Sequence, residues 1–222
     1  MTQIFLGYPP EHIKNWIIEY SKPAGNPKTK ITFTNGDSKE YDWSKEINFQ
    51  TMIDAGLYDK SQYDWVKNPQ IVEIGTNVTS IGSSAFRGCS GLTSVTIPSS
   101  VTSIGNEAFT HCSSLTSVTI LEGVTSIGDQ VFEGCSSLTS VTIPEGVTSI
   151  GFAAFGDCSS LTSVMISSSV TNIGGYVFSG CSGLTSVTFS GKDMESVQNM
   201  ANYSWSLTLG CVIHCTNGDI TI

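Results

Sequence analysis

The chain has 222 residues, 39% of them hydrophobic and only 13% charged, with a formal charge of -9. That length can bury a sizeable core, while an acidic balance with a single arginine, Arg87, excludes general affinity for nucleic acid or anionic membranes, since both rest on neutralising negative charge. No apolar run approaches the ~20 residues of a bilayer span, and Met1 to Pro10 lack the basic start and continuous apolar stretch of a secretory signal, so the chain reads as soluble, with no membrane insertion expected.

Residues 1–71 hold eight of the ten basic residues and eleven of the aromatics, and this shift in composition predicts a separate α+β cap. Pro9-Pro10 followed by Glu11 suits a helix start, and Ile13, Trp16, Ile17 and Tyr20 fall on one helical face that ends before Pro23. Ile31 to Thr34, then Asn35-Gly36-Asp37, then Tyr41-Asp42-Trp43 reads as a hairpin, because Asn-Gly supplies the positive φ of a tight turn. Ser44 to Gly56 reads as a second helix, with Ile47, Met52 and Ile53 among its apolar positions.

Residues 72–189 repeat with a period of 23. Units begin at Val78, Val101, Val124, Val147 and Val170, and Val72-Glu73-Ile74 is a partial earlier copy. The recurring positions are apolar: Val78, Ile81, Ala85, Phe86, Cys89, Leu92, Val95 and Ile97 in the first unit. One coil cannot offset the entropy of ordering its own backbone, so the array is stable only when coils stack and both ends are covered. Leu92 to Ile97 closes with strand alternation that points Val95 and Ile97 inward and Ser94 and Thr96 outward. Stacking then makes one parallel sheet whose outward columns are Ser94, Ser117, Ser140, Ser163, Ser186 and Thr96, Thr119, Thr142, Met165, Thr188. A second short strand is expected at Val78 to Ile81, ended by the corner former Gly82. One turn of helix is expected at Ala85-Phe86, and Pro98 and Pro144 close strands where no ladder donor is wanted.

From Ser190 the pattern breaks, and 190–222 reads as a short C-terminal cap. Lys192 to Met200 has helical character, Tyr203, Trp205 and Leu207 supply apolar bulk, and Ile213 to Ile222 reads as a terminal hairpin around Asn217-Gly218.

The motif Leu-x-x-Val-x-Ile-Pro-x-x-Val-x-x-Ile-Gly-x-x-Ala-Phe-x-x-Cys, present in five consecutive copies, resembles the BspA-type leucine-rich repeat. The resemblance covers about Val72 to Phe189. It implies a leucine-rich repeat solenoid of about five coils, no catalytic residues, and a place among bacterial and protozoan surface proteins associated with adhesion to host proteins or other cells. Departures are few: Leu121 and Ser167 replace the Pro, Met165 the Thr, and His111 and Asp157 the Gly before Cys. The surface location that the resemblance implies sits against Met1 to Pro10, which do not read as a secretory signal, and against unpaired thiols that suit a reducing compartment.

Five of the seven Cys, Cys89, Cys112, Cys135, Cys158 and Cys181, occupy one repeat position and read as a buried ladder, neither a disulfide framework nor a metal chain. Cys211, His214 and Cys215 have metal-ligand types, but a strand points His214 away from the two thiols, so ordinary cap roles are expected. His12, His111 and His214 recur beside no nucleophile elbow, and the glycines follow the 23-residue period without a phosphate-binding motif; no cofactor is expected and an enzyme ranks third. Two surfaces compete for a binding role. One is the Ser/Thr strand face. The other is the variable edge after the corner Gly, where Phe152 and Tyr176 either form an exposed aromatic patch or pack against loop backbone. The leading reading is a non-catalytic adhesion or interaction protein with a protein partner, such as a host extracellular protein. The second is a structural spacer or particle subunit whose caps make the contacts.

Overall fold

The computed structural model describes residues 28–59, 64–65, 68–200 and 205–222. The expected helix over Ile13 to Tyr20, His12 and Tyr203 lie outside these residues. In chain order the strands are β1 (Thr29–Phe33), β2 (Ser38–Tyr41), β3 (Lys45–Ile47), β4 (Tyr58–Asp59), β5 (Asp64–Trp65), β6 (Pro69–Glu73), β7 (Val78–Ile81), β8 (Ser94–Ile97), β9 (Ser103–Ile104), β10 (Ser117–Ile120), β11 (Ser126–Ile127), β12 (Ser140–Ile143), β13 (Ser149–Ile150), β14 (Ser163–Ile166), β15 (Asn172–Ile173), β16 (Ser186–Phe189), β17 (Val212–Cys215) and β18 (Gly218–Thr221). Two short helices, α1 (Phe49–Asp54) and α2 (Met194–Met200), lie in the flanking segments.

Successive coils place equivalent residues in register. Val118 faces Val95 across β10 and β8, Val164 faces Val141 across β14 and β12, and Val187 faces Val164 across β16 and β14. The partial copy pairs in the same way, Val72 opposite Val95. A second column runs β3-β7-β9-β11-β13-β15 without interruption. Between the columns the ring of Phe86 stacks on Phe109, Phe109 on Phe132, Phe132 on Phe155 and Phe155 on Phe178, with centroids 5.2–6.0 Å apart and planes within 16° of parallel. The equivalent Leu, Val, Ile and Cys positions join this row in one continuous apolar core.

The strand column departs from the expectation of a single sheet. It is two sheets, β10-β8-β6-β1-β2 and β12-β14-β16-β17-β18, because β10 and β12 are not hydrogen-bonded to each other.

The turn of helix expected at Ala85-Phe86 is also absent. In each coil one residue just after the corner, Ser84, Glu107, Gln130, Ala153 or Tyr176, has φ between 48° and 59°, a left-handed conformation that no right-handed helix accommodates. Freed from an i to i-4 bond, the amides reach the next coil: Phe86 N–H donates to Ala108 O at 2.7 Å, Phe109 to Val131 O at 2.9 Å and Phe132 to Ala154 O at 2.8 Å. The Gly before Cys has the same cause. Gly88, Gly134 and Gly180 have φ of 69–73°, and His111 and Asp157, which replace it, keep 59° and 54°; both are residue types enriched in that region.

Both ends continue the stack before closing it. At the start, the β1–β2 hairpin pairs antiparallel with β6, Ile31 opposite Val72, while β3 pairs parallel with β7. The helix expected over Ser44 to Gly56 is therefore shorter: Ile47 belongs to β3, and α1 begins after Asn48, whose side chain accepts from Thr51 N–H in a capping box. At the other end β17 pairs parallel with β16, Val187 opposite Ile213, and β18 folds back antiparallel. Trp205 O accepts from Phe178 N–H, and the Trp205 ring stacks on Phe189 at 5.7 Å.

Candidate functional site

Two-residue alternation along each strand sends Ser and Thr out and Val and Ile in, and register aligns the outward side chains into rows. Ser117 lies opposite Ser94 and Thr119 opposite Thr96; Ser163 lies between Ser140 and Ser186, and Met165 between Thr142 and Thr188. Ser117, Thr119, Ser140, Thr142, Ser163 and Met165 are exposed, whereas Ser94, Thr96, Ser186 and Thr188, nearer the ends, are half-buried. Met165 is the large apolar side chain on this face, 48% exposed.

The many other hydroxyls have an internal task. Thr102, Thr125, Thr148 and Thr171 each donate from Oγ1 to the carbonyl of the Thr 23 residues earlier, at 3.0–3.3 Å. A parallel set lies beside the strand column: Thr93 to Gln70 O, Thr116 to Thr93 O, Thr162 to Thr139 O and Thr185 to Thr162 O. Part of the Thr richness of the composition is this stitching of coil to coil.

The stitch fails once. Thr93, Thr116, Thr162 and Thr185 donate both N–H and Oγ1 across their junctions, but Thr139 does neither toward Thr116. One position past the strand, Leu121, Ser167 and Ser190 donate their N–H to Ile97, Ile143 and Ile166, a bond Pro144 cannot give to Ile120. The loop after β10 presses on its predecessor, so that a Cβ on Gly123 would overlap Ser99 O, while the loop after β12 stands off, with the same position on Gly146 3.7 Å from Val124 O. The result is a cleft of about 320 Å³ lined by Thr116 to Ile120 and Thr139 to Thr142. Val118, alone among the Val of its column, is only partly buried. Sequence reasoning placed these residues in an unbroken sheet. Pro144 is a partial signal only, since Pro98 leaves β6 and β8 paired.

Phe152 and Tyr176 come together on the variable edge. Their rings meet edge to face with centroids 5.6 Å apart, and they are 48% and 51% exposed. They form a surface pair, not packing against loop backbone. Phe152 N–H donates to the Asp129 carboxylate at 2.8 Å, and Asp129 N–H to Asn106 Oδ1 at 2.9 Å, so a polar ladder leads up to the pair.

The five repeated Cys are free, buried thiols, and each has a partner. Cys112, Cys135, Cys158 and Cys181 donate S–H to the carbonyls of Phe86, Phe109, Phe132 and Phe155 at 3.0–3.3 Å. Burial pushes the Cys135 thiol up to about 12 and holds Cys112 well above the ordinary range, so neither is the thiolate that nucleophilic or metal chemistry needs. Cys135→Ala is expected to destabilise by about 1 kcal/mol, because Phe109 O loses one of its two donors and keeps only Cys112 N–H at 3.2 Å, and Cys135→Ser to recover most of that loss. Urea unfolding of both variants checks this, and equal losses would mean that volume alone matters. In the cap, Cys211 is buried, Cys215 half-buried, and the His214 imidazole turns outward to Asp219 at 2.9 Å.

A family model described as the BspA type leucine rich repeat region matches residues 59–185 and 103–212, with six copies. No curated protein matches the chain. Among solved structures, a leucine-rich repeat protein of T. pallidum is 29% identical over 60% of this chain and 69% of that one, with a TM-score of 0.55. A leucine rich cell surface protein of Faecalibacterium prausnitzii is 36% identical over 62% of this chain and 35% of that one, at 0.57. The pneumococcal vaccine antigen PcpA, 15% identical over 82% of this chain and 46% of its own, at 0.58, shares the fold.

Proposed function

The chain belongs to the BspA-type leucine-rich repeat family, and from that premise we propose that it is a non-catalytic adhesion module that binds a protein partner, such as a host extracellular protein, at a bacterial cell surface. The family is one of protein-interaction solenoids, and among the described residues no helix is long and apolar enough to cross a membrane. The observation that carries the reading is the Phe152–Tyr176 pair: two touching aromatic rings, each about half exposed, on coils surfaced mostly by small polar residues. Interface energy concentrates in such aromatic anchors, and a hydroxyl face contributes orientation more than affinity. The ten outward strand residues from Ser94 to Thr188, with Met165 among them, supply the rest of the contact.

Binding to a panel of immobilised extracellular-matrix proteins tests this. Phe152→Ser combined with Tyr176→Ser should weaken binding at least tenfold, while stability stays within about 0.5 kcal/mol, as surface substitutions do. Full affinity in the double variant would refute the aromatic anchor.

A second reading, a spacer whose caps make the contacts, is favoured by the C-terminal cap. There a recess of about 240 Å³ is lined by Val197, Trp205, Leu207, Ile213, Ile220 and Ile222, and the buried Trp205 Nε1 has no hydrogen-bond partner among the described residues. Under this reading, binding would follow exchange of the caps and ignore deletion of a repeat.

A further inference from the structure

We propose that the seam between β10 and β12 is a strand-receiving slot, which takes an extended segment of a partner protein that alternates Ser or Thr with Val or Ile. Every other junction of the strand column shows what these edges accept. On its far side β10 pairs in parallel, residue for residue, with Ser94-Val-Thr-Ile97, and β12 with Ser163-Val-Met-Ile166. Across the seam the same backbone groups face each other unpaired, and Thr116 O, which periodicity would give both the N–H and the Oγ1 of Thr139, receives neither. Unpaired main-chain donors and acceptors along a strand edge recognise another extended backbone, and the spaces for alternate side chains select its sequence. Here the outward positions open to solvent beside Ser117, Thr119, Ser140 and Thr142, and the inward positions point at the partly uncovered Val118. A β-branched residue suits the latter.

The slot is narrower than its guest. Residues of β10 and β12 approach within 8 Å, Cα to Cα, whereas an intercalated strand needs two ladder spacings, roughly 9.6 Å. Binding must therefore part the walls. The second column provides the hinge, because β11 and β13 stay paired and Phe109 stays stacked on Phe132 at 5.5 Å across this same junction.

The slot lies within the strand face and so rests on the binding reading above, but it takes its guest through backbone. Two kinds of variant separate the readings. Ser163→Arg with Thr188→Arg should block binding by the face and leave the slot working, whereas Pro144→Ser should close the slot by restoring the N–H that Ser167 and Ser190 donate at the next two junctions.

The test is amide hydrogen exchange on the full chain with a synthetic peptide, Leu-Thr-Ser-Val-Thr-Ile-Pro, which is its own 92–98 segment, against a scrambled peptide of the same composition. The expected result is at least tenfold slower exchange at 117–120 and 139–143 with the ordered peptide alone. Binding should persist in the Ser163→Arg, Thr188→Arg variant and weaken at least tenfold in Pro144→Ser. Unchanged exchange at the seam, protection of the end strands β2 and β18 instead, or equal binding by a Pro144→Ser variant whose seam amides have become protected would each overturn the proposal. Concentration-dependent dimerisation that protects the seam without peptide would assign the slot to a second copy and overturn the assignment to a separate partner.

Discussion

Phe132→Ala is expected to lower stability by about 3–5 kcal/mol, the range for removing a fully buried aromatic ring. Phe132 is wholly inaccessible and is the middle of five stacked rings, 5.5 Å from Phe109 on one side and from Phe155 on the other. Truncation removes the ring's apolar burial and leaves a cavity whose walls cannot relax inward. Phe132 N–H and O already bond to Ala154 O and the Cys158 thiol of the following coil, and toward the preceding coil Val131 O accepts from Phe109 N–H and the Cys135 thiol donates to Phe109 O, which fixes the backbone on both sides. In a one-dimensional array a lesion at the centre weakens two interfaces at once, so chemical unfolding followed by circular dichroism should show a lower midpoint and a broadened transition as the two halves uncouple. A loss below 1 kcal/mol would mean that the rings fill space without joining the coils.

The 23-residue period made the coil, its inward set and the phenylalanine row readable before any coordinates, because identical apolar spacings in five copies can all be buried only by returning to the same place. The outward rows from Ser94 to Thr188 followed from alternation along a strand, which leaves Val and Ile no other way to face the core. Three features were not readable. A turn with one left-handed residue and a turn of helix bury Ala85 and Phe86 alike, so apolar spacing does not separate them. Trp205 to Cys215 completes a further coil without the repeat's residues, since what the previous coil requires there is a carbonyl at Trp205 and a strand at Val212, and backbone supplies both. The seam arises from the fit between whole coils, in which Thr139 and Thr116 keep the consensus types and still do not meet. Which outward residues contact a partner is a property of that partner's surface as much as of this one, and hydroxyl rows alone do not specify it.

The corner glycines were expected to be present for their backbone angles, yet Gly105, Gly128, Gly151 and Gly174 have no left-handed φ; they are required by proximity. A Cβ built on Gly151 would lie 2.5 Å from Gly128 C and 2.6 Å from Asp129 N, backbone atoms of the preceding coil that cannot swing aside. Gly151→Ala is therefore expected to destabilise by about 3 kcal/mol, the upper end for overpacking, since the coils must separate along the second column to admit the methyl group. The same substitution at Gly174 meets an equal obstacle, 2.5 Å from Gly151 C and from Phe152 N, but its junction is also held by the intact β12–β14 ladder. Gly151 sits where β10 and β12 are unpaired, so the β11–β13 pairing is the one strand ladder joining the two halves. Prying it apart should make Gly151→Ala the costlier of the two by at least 1 kcal/mol, and should speed amide exchange at Thr148 and Gly151, whose N–H groups bridge that junction to Thr125 and Ile127. Equal losses at Gly151 and Gly174 in parallel urea titrations would show that the open seam places no extra load on the column opposite it.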